Sequence, residues 1–164
     1  MNSVTLCISA NTHRDQLVRW CIQVHSILEE PNIFYPGFDR WYYGIFVPGV
    51  MSGSRGFIIS LSHGTIAGIV LWKRDRSENK ICRIEVIAGH RHHGLGKQLF
   101  EKSFDILETT KPVITIAEER IDMYRRLIAY YAFEVTDICP NYYRNNSKEY
   151  VFNGDLNVRK KMND

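Results

Sequence analysis

Arg91-His92-His93-Gly94-Leu95-Gly96 is the stretch on which the reading of this chain turns. Before it, Lys80 to Ala88 has the pattern of a strand. After it, Leu95, Leu99, Phe100, Ser103 and Leu107 recur at the spacing of one helix face. The six residues therefore make a strand-to-helix turn. The first turn of such a helix carries backbone N–H groups without intrahelical partners, and the aligned peptide dipoles add about half a positive charge there. An end of that kind attracts phosphate. Gly94 and Gly96 lack a Cβ, so a pyrophosphate can come close to the main chain, with Arg91 and Lys97 supplying charge beside it. No Gly-Lys-Ser/Thr follows, as a mononucleotide loop needs, and the dinucleotide pattern G-x-G-x-x-G is absent. The plainer alternative is that the two glycines only shape a tight turn.

Outward from this turn, Gly56 to Leu61, Thr65 to Trp72 and Lys80 to Ala88 read as three strands of an antiparallel meander, joined at His63-Gly64 and Asp75 to Asn79. Val4 to Ile8 alternates as a first strand. Thr12 and Asp15 have the spacing of a capping box, and Leu17, Trp20, Cys21, Val24 and Leu28 give the next helix an apolar face that Pro31 ends. A short helix over Asp39 to Phe46 is expected within an aromatic stretch broken by Pro36, Gly37, Pro48 and Gly49. Downstream, Val113 to Ala117 is a strand. Asp122 caps a helix buried through Met123, Leu127, Ile128 and Tyr131, and Phe133 to Ile138 and Glu149 to Phe152 close the fold. The order β, α, α, three β, α, β, α, β, β predicts one α/β domain over residues 1–164, with a mixed, mostly antiparallel sheet flanked by helices.

Arg91 to Gly96 also resembles the signature R/Q-x-x-G-x-G/A of the GNAT N-acetyltransferase superfamily, which it matches without a gap. Ile84 to Phe100 looks like that family's core segment. Leu127 to Glu134, ending Tyr-Tyr-Ala-Phe-Glu, is similar to its later helix-to-strand junction, usually Tyr-Gly-Phe-Glu. The resemblance covers nearly the whole chain. It implies a GNAT-like fold with acetyl-CoA as acyl donor. Val86, Ile87 and Ala88 would offer main-chain groups to the pantetheine arm, in the manner of an added strand at a splayed sheet, and His92, His93, Gly94, Leu95, Gly96 and Lys97 would surround the pyrophosphate.

Acetyl transfer to an amine needs a neutral nucleophile, a stabilised oxyanion and a proton for the departing thiolate. Deprotonating a lysine-like amine at pH 7 costs roughly 4.6 kcal/mol, an α-amine only about 1.4. In many members of the family a Glu or His on the fourth strand, nine or eleven positions before the motif, serves as base. Here those positions hold Cys82 and Lys80. Glu85 alternates to the other face from Val86 and reads first as a salt-bridged carboxylate. Glu118, with Glu119, is a candidate base just after the following strand. The family's thiolate partner, a Tyr, falls on Ile128, which is a departure. Tyr124 and Tyr131 flank that position along the helix, and either could offer a hydrogen bond to sulfur, core packing being the plainer account of each. The aromatics from Phe34 to Phe46 stand where the family forms its acceptor loop, and lining a cleft or completing a core are equally open to them.

Composition sets bounds on these readings. The chain has 164 residues with Lys plus Arg at 21 and Asp plus Glu at 18, a net charge of +3 that favours an anionic cofactor and is too small to argue for nucleic acid. The apolar runs fall well short of the roughly 20 residues that cross a bilayer, and Met1 to Arg14 shows no secretory pattern. A cytoplasmic protein without membrane attachment is expected. Cys7, Cys21, Cys82 and Cys139 include no C-x-x-C pair and read as buried free thiols. His90, His92 and His93 are adjacent in a turn without further ligands nearby, so no metal is expected. The reading favoured is an acetyl-CoA-dependent N-acetyltransferase acting on a small-molecule or peptide amine, with homodimerisation left open. The alternatives are a catalytically weak acyl-CoA-binding module and an enzyme acting on aminoacyl-tRNA.

Overall fold

A computed structural model describes residues 3–28 and 34–156. Pro31 and the basic tail Arg159-Lys160-Lys161 lie outside the described residues. Strands β1 (Ser3–Ile8), β2 (Arg55–Ser62), β3 (Thr65–Arg74) and β4 (Asn79–Val86) run antiparallel, each beside its predecessor. His63 and Gly64 both take positive φ (50° and 80°), the two-residue turn whose twist matches a β2–β3 hairpin. The predicted meander is therefore present. Strand β5 (Val113–Ala117) joins β4 in parallel, and β6 (Val135–Pro140) and β7 (Lys148–Phe152) complete the order β1-β2-β3-β4-β5-β7-β6.

Alternation along the strands divides the apolar side chains between two faces. Phe57, Ile59, Ile69 and Leu71 pack with Leu17, Cys21, Val24 and Leu28 of helix α1 (Arg14–Leu28). The same side is covered by a helical segment made of α2 (Phe38–Trp41), a π-helical turn over Tyr42–Phe46 and α3 (Val47–Met51). On the opposite face, Ile58, Val70, Ile81 and Ile84 pack under helices α4 (Leu95–Leu107) and α5 (Ile121–Tyr130). No described helix is long and apolar enough to cross a membrane.

Several expectations change in detail. The short helix expected over Asp39 to Phe46 continues to Met51, because the wider π turn directly before Pro48 accommodates a residue without an N–H. Strand β4 stops at Val86, and Ala88–His90 is a 3-10 turn rather than strand. The Thr12 hydroxyl accepts a bond from Ser9 N and caps the preceding bend instead of α1. Helix α5 begins at Ile121 with no side-chain cap, and Asp122 pairs with Arg125 in its first turn. Met123, expected in the core, is 57% exposed, because α5 packs through Ile121, Tyr124, Leu127 and Ile128 instead. All four cysteines are free, but Cys7 is exposed and Cys82 only half-buried.

Candidate active site

The site begins where the sheet comes apart. Strands β4 and β5 pair only at Lys80 with Val113 and Ile81 with Ile114. Beyond Ile81, β4 stays with β3, while β5 stays with β7, and a gap opens between residues 82–86 and 115–117. Ile87 N donates to Ala67 O at 2.9 Å. The alternation of an antiparallel ladder then turns the amides and carbonyls of Ile84 and Val86 away from β3 and toward the gap. Their carbonyls accept bonds there from the Tyr124 hydroxyl (3.1 Å) and Arg91 Nε (2.9 Å). Of the three residues expected to address a pantetheine arm, Val86 faces the gap. Ile87 spends its N–H on β3 and its carbonyl on His90 N, and the Ala88 carbonyl accepts from Arg91 N.

The gap ends at the glycine turn, whose residues Arg91, His92, His93 and Gly94 are all exposed. His92 and Gly94 adopt positive φ (64° and 80°), a conformation that suits Gly94. Helix α4 starts at Leu95 without any side-chain cap, and its first intrahelical bond is Gln98 N to Gly94 O. The N–H groups of Leu95, Gly96 and Lys97 precede that bond and lie at the open end of the helix. A Cβ added at Gly96 would meet only Leu127 Cδ1 at 3.8 Å and Val86 Cγ2 at 3.9 Å, ordinary contact distances. Packing within the protein thus does not require glycine at 96, and the signature that Arg91 to Gly96 resembles admits alanine there.

Arg91 braces the turn. Besides holding Val86 O, its guanidinium pairs with Glu85 at 3.1 Å, and Glu85 also meets Arg120 at 3.4 Å. Glu85 is the salt-bridged carboxylate that its alternation suggests, tying the turn to the approach of α5. Lys97 Nζ donates to the Tyr130 hydroxyl at 2.9 Å.

Two cavities meet in the gap. The smaller, about 40 Å³, lies between residues 81–84 and 114–116, with Phe100 and Tyr124 on the α4/α5 side. The larger, about 250 Å³, opens on the opposite face. Aromatic rings of Tyr35, Phe38, Trp41 and Tyr143 form part of its wall, and Arg55, Lys80 and Arg83 supply three cations. Tyr35, Cys82, Arg83 and Thr115 line both cavities and mark their junction. The aromatic stretch therefore serves both ends left open by the sequence. Tyr42 and Phe46 are fully buried core, Tyr35 and Trp41 face the cavity, and Phe38 does both.

The candidate side chains separate on this geometry. Tyr124 lines the smaller cavity, and burial pushes its phenol pKa up. Tyr131 lines neither cavity. It packs among Phe100, Phe104 and Phe133, and burial raises its phenol to about 12. Glu118 also lies outside both walls, its carboxylate accepting a bond from Lys148 N at 3.0 Å. The carboxylate that does sit behind the junction is Glu149 on β7, 2% exposed, which accepts a bond from the Tyr35 hydroxyl at 3.2 Å. Burial raises its pKa to about 7, against the opposing effects of Tyr35, Thr115 and Lys80. Sequence reasoning missed Glu149, Arg55 and Arg83. No pattern in the sequence marks them: Arg55 precedes the run Gly56 to Leu61, Arg83 lies inside Lys80 to Ala88, and Glu149 opens the run to Phe152.

No protein-family model matches this sequence, and no curated protein matches it. Solved structures do match in shape. A protein from Desulfovibrio desulfuricans described as an acetyltransferase of the GNAT family superposes with a TM-score of 0.66 at 14% identity, covering 92% of this chain and 97% of that one. Arabidopsis thaliana NAA60 in complex with acetyl-CoA gives 0.63 at 16% identity, over 92% and 97%. The spermidine/spermine N-acetyltransferase SpeG from Vibrio cholerae, in mutant form, gives 0.60 at 13% identity, over 92% and 93%. At these identities the likeness speaks for architecture, and this chain has the fold of the GNAT acetyltransferases.

Proposed function

We propose that this chain transfers an acetyl group from acetyl-CoA to a primary amine by direct attack. One observation carries the reading: the uncapped first turn of α4 stands at the mouth of a gap in the sheet, and that gap contains two joined cavities. The amides of Leu95, Gly96 and Lys97 hold the pyrophosphate, with Gly94 and Gly96 allowing its approach and the exposed His92 and His93 beside it. Arg91, committed to Glu85 and Val86, shapes the turn more than it adds free charge. The Val86 amide bonds the pantetheine arm in the manner of an added strand.

When bound, acetyl-CoA supplies the thioester carbonyl. A proton from the acceptor ammonium passes to the Tyr35 oxygen as Tyr35 gives its own to Glu149. The neutral nitrogen forms the new C–N bond while the C–S bond breaks, and the second nitrogen proton leaves with the thiolate. The Tyr124 hydroxyl leaves the Ile84 carbonyl and offers that sulfur its hydrogen bond. Cys82 lines the junction but carries no acyl group in direct attack, so Cys82→Ala retains turnover and no acetylated protein accumulates.

Calorimetry with CoA tests the binding claim. Wild type gives a saturable isotherm, and Gly94→Glu, whose side chain projects into open space, loses it while remaining folded. An absence of heat at millimolar CoA, or equal affinity in the variant, refutes the proposal. Release of free thiol against an amine panel then separates a transferase from a module that only binds.

A further inference from the structure

Cations held out of water and outside any ion pair are costly, and the acceptor cavity is lined by two: buried Arg55 and half-buried Arg83, the second opposed by Glu85 only at longer range. Arg55 is 8% exposed, yet no described carboxylate lies within ion-pair distance of it. Its contacts are a long hydrogen bond to Cys82 Sγ (3.7 Å) and the Trp41 ring at 5.9 Å. Arg83 stacks over the Phe38 ring at 4.8 Å, and its Nε and Nη1 are buried with no hydrogen-bond partner. Lys80, the third cation, is opposed by Glu149 across the junction. No acidic side chain lines the cavity. Leaving buried donors unbonded destabilises a fold unless a ligand satisfies them.

We infer that the acceptor is an α-amino carboxylate with an aromatic or other apolar side chain, its carboxylate held by Arg83 and Arg55. Guanidinium groups match a carboxylate in a two-bond fork. About 250 Å³ is a volume of amino-acid size, and Tyr35, Phe38, Trp41 and Tyr143 offer ring faces to the apolar body. Position supports the same reading. Arg83 stands at the junction of the cavities, and in an α-amino acid the amine is attached one carbon from the carboxylate. Anchoring the carboxylate there brings the amine to the junction, beside Tyr35. A polyamine of the kind named for SpeG presents only cations to this wall and is disfavoured by like charge.

This inference rests on the transferase reading for its chemistry but not for its test. Free-thiol release is measured with acetyl-CoA and L-phenylalanine, L-phenylalaninamide, phenethylamine or spermidine. In parallel, calorimetry in the presence of CoA compares N-acetyl-L-phenylalanine with its amide. The carboxylates are preferred at least about tenfold in kcat/KM and in affinity, the size of a charged hydrogen-bond contribution. Arg83→Met removes the preference without lowering thermal stability, because the two buried N–H groups that lack partners are removed with it. A merely structural arginine would lower stability on removal. Carboxylate-selective binding without turnover supports the inference and refutes the transferase. Turnover with equal or better use of the amide, phenethylamine or spermidine overturns the inference and leaves the transferase standing. An unchanged preference in Arg83→Met, or no binding of either N-acetyl ligand, also overturns it.

Discussion

Glu149 shows what a single residue acquires from its surroundings. Burial lifts its carboxyl from 4.5 to about 7, so the folded chain holds a proton there that the unfolded chain has released. Stability from this group is complete below pH 4.5 and is lost as pH rises through 7, by about 3 kcal/mol in total. The same ionisation produces the proposed base, so on that proposal turnover rises over the range in which stability falls. Glu149→Gln removes the acid limb near pH 7 from kcat/KM and flattens this part of the stability profile. Thermal melts and initial rates between pH 4.5 and 8 check both, and an unchanged acid limb in the variant excludes Glu149 as base. None of this was legible in Lys148-Glu149-Tyr150-Val151-Phe152, where an acidic residue at a strand start is unremarkable. Burial, Lys80 and Tyr35 reach Glu149 only through the inserted position of β7. The glycine turn was legible because everything it needs is local: two glycines, a strand before them and a helix face after them.

At the scale of elements, two glycines make opposite demands. Gly56 on β2 is where three strands crowd: a Cβ there would stand 2.4 Å from Trp72 Cζ2 and 2.5 Å from Ile8 O, and the backbone oxygen cannot step aside. Gly56→Ala is expected to destabilise by about 3 kcal/mol through overpacking. Gly96 in α4 has room, so Gly96→Ala stabilises the helix by up to about 1 kcal/mol. The signature admits alanine at this position, so CoA affinity is kept. Denaturant melts with CoA titrations read both variants, and a Gly96→Ala protein that no longer binds CoA would mean that the ligand presses on the Cα of residue 96 itself. Period-2 and period-3.6 patterns revealed nearly every element, since they report which face is buried. They misplaced ends, as at Val86 and Ile121, and sent Met123 inward, because ends and helix rotation depend on what packs opposite.

For the molecule as a whole, pattern and connection order foretold a mixed sheet with an antiparallel run at one side. The separation of β4 from β5 was foretold only through the family resemblance, since strand divergence leaves no periodic trace. That separation leaves the β1–β4 and β5–β7 halves joined by two paired positions and by the core beneath α4 and α5. A ligand filling the gap binds the folded chain and not the unfolded one. CoA at 100 times its dissociation constant therefore adds about 2.7 kcal/mol, which raises Tm by about 5–10 °C for a chain of this size. Because pyrophosphate and pantetheine address different elements, the protection has a pattern as well as a size. Amide exchange slows at Leu95, Gly96 and Lys97 with adenosine 3′-phosphate 5′-diphosphate alone, and also at Val86 once the pantetheine arm is present. Gly94→Glu cancels the Tm shift and both sets of protections together. If CoA raised Tm while those four amides exchanged as before, the ligand would be binding elsewhere, and the gap between β4 and β5 would lose its assigned role.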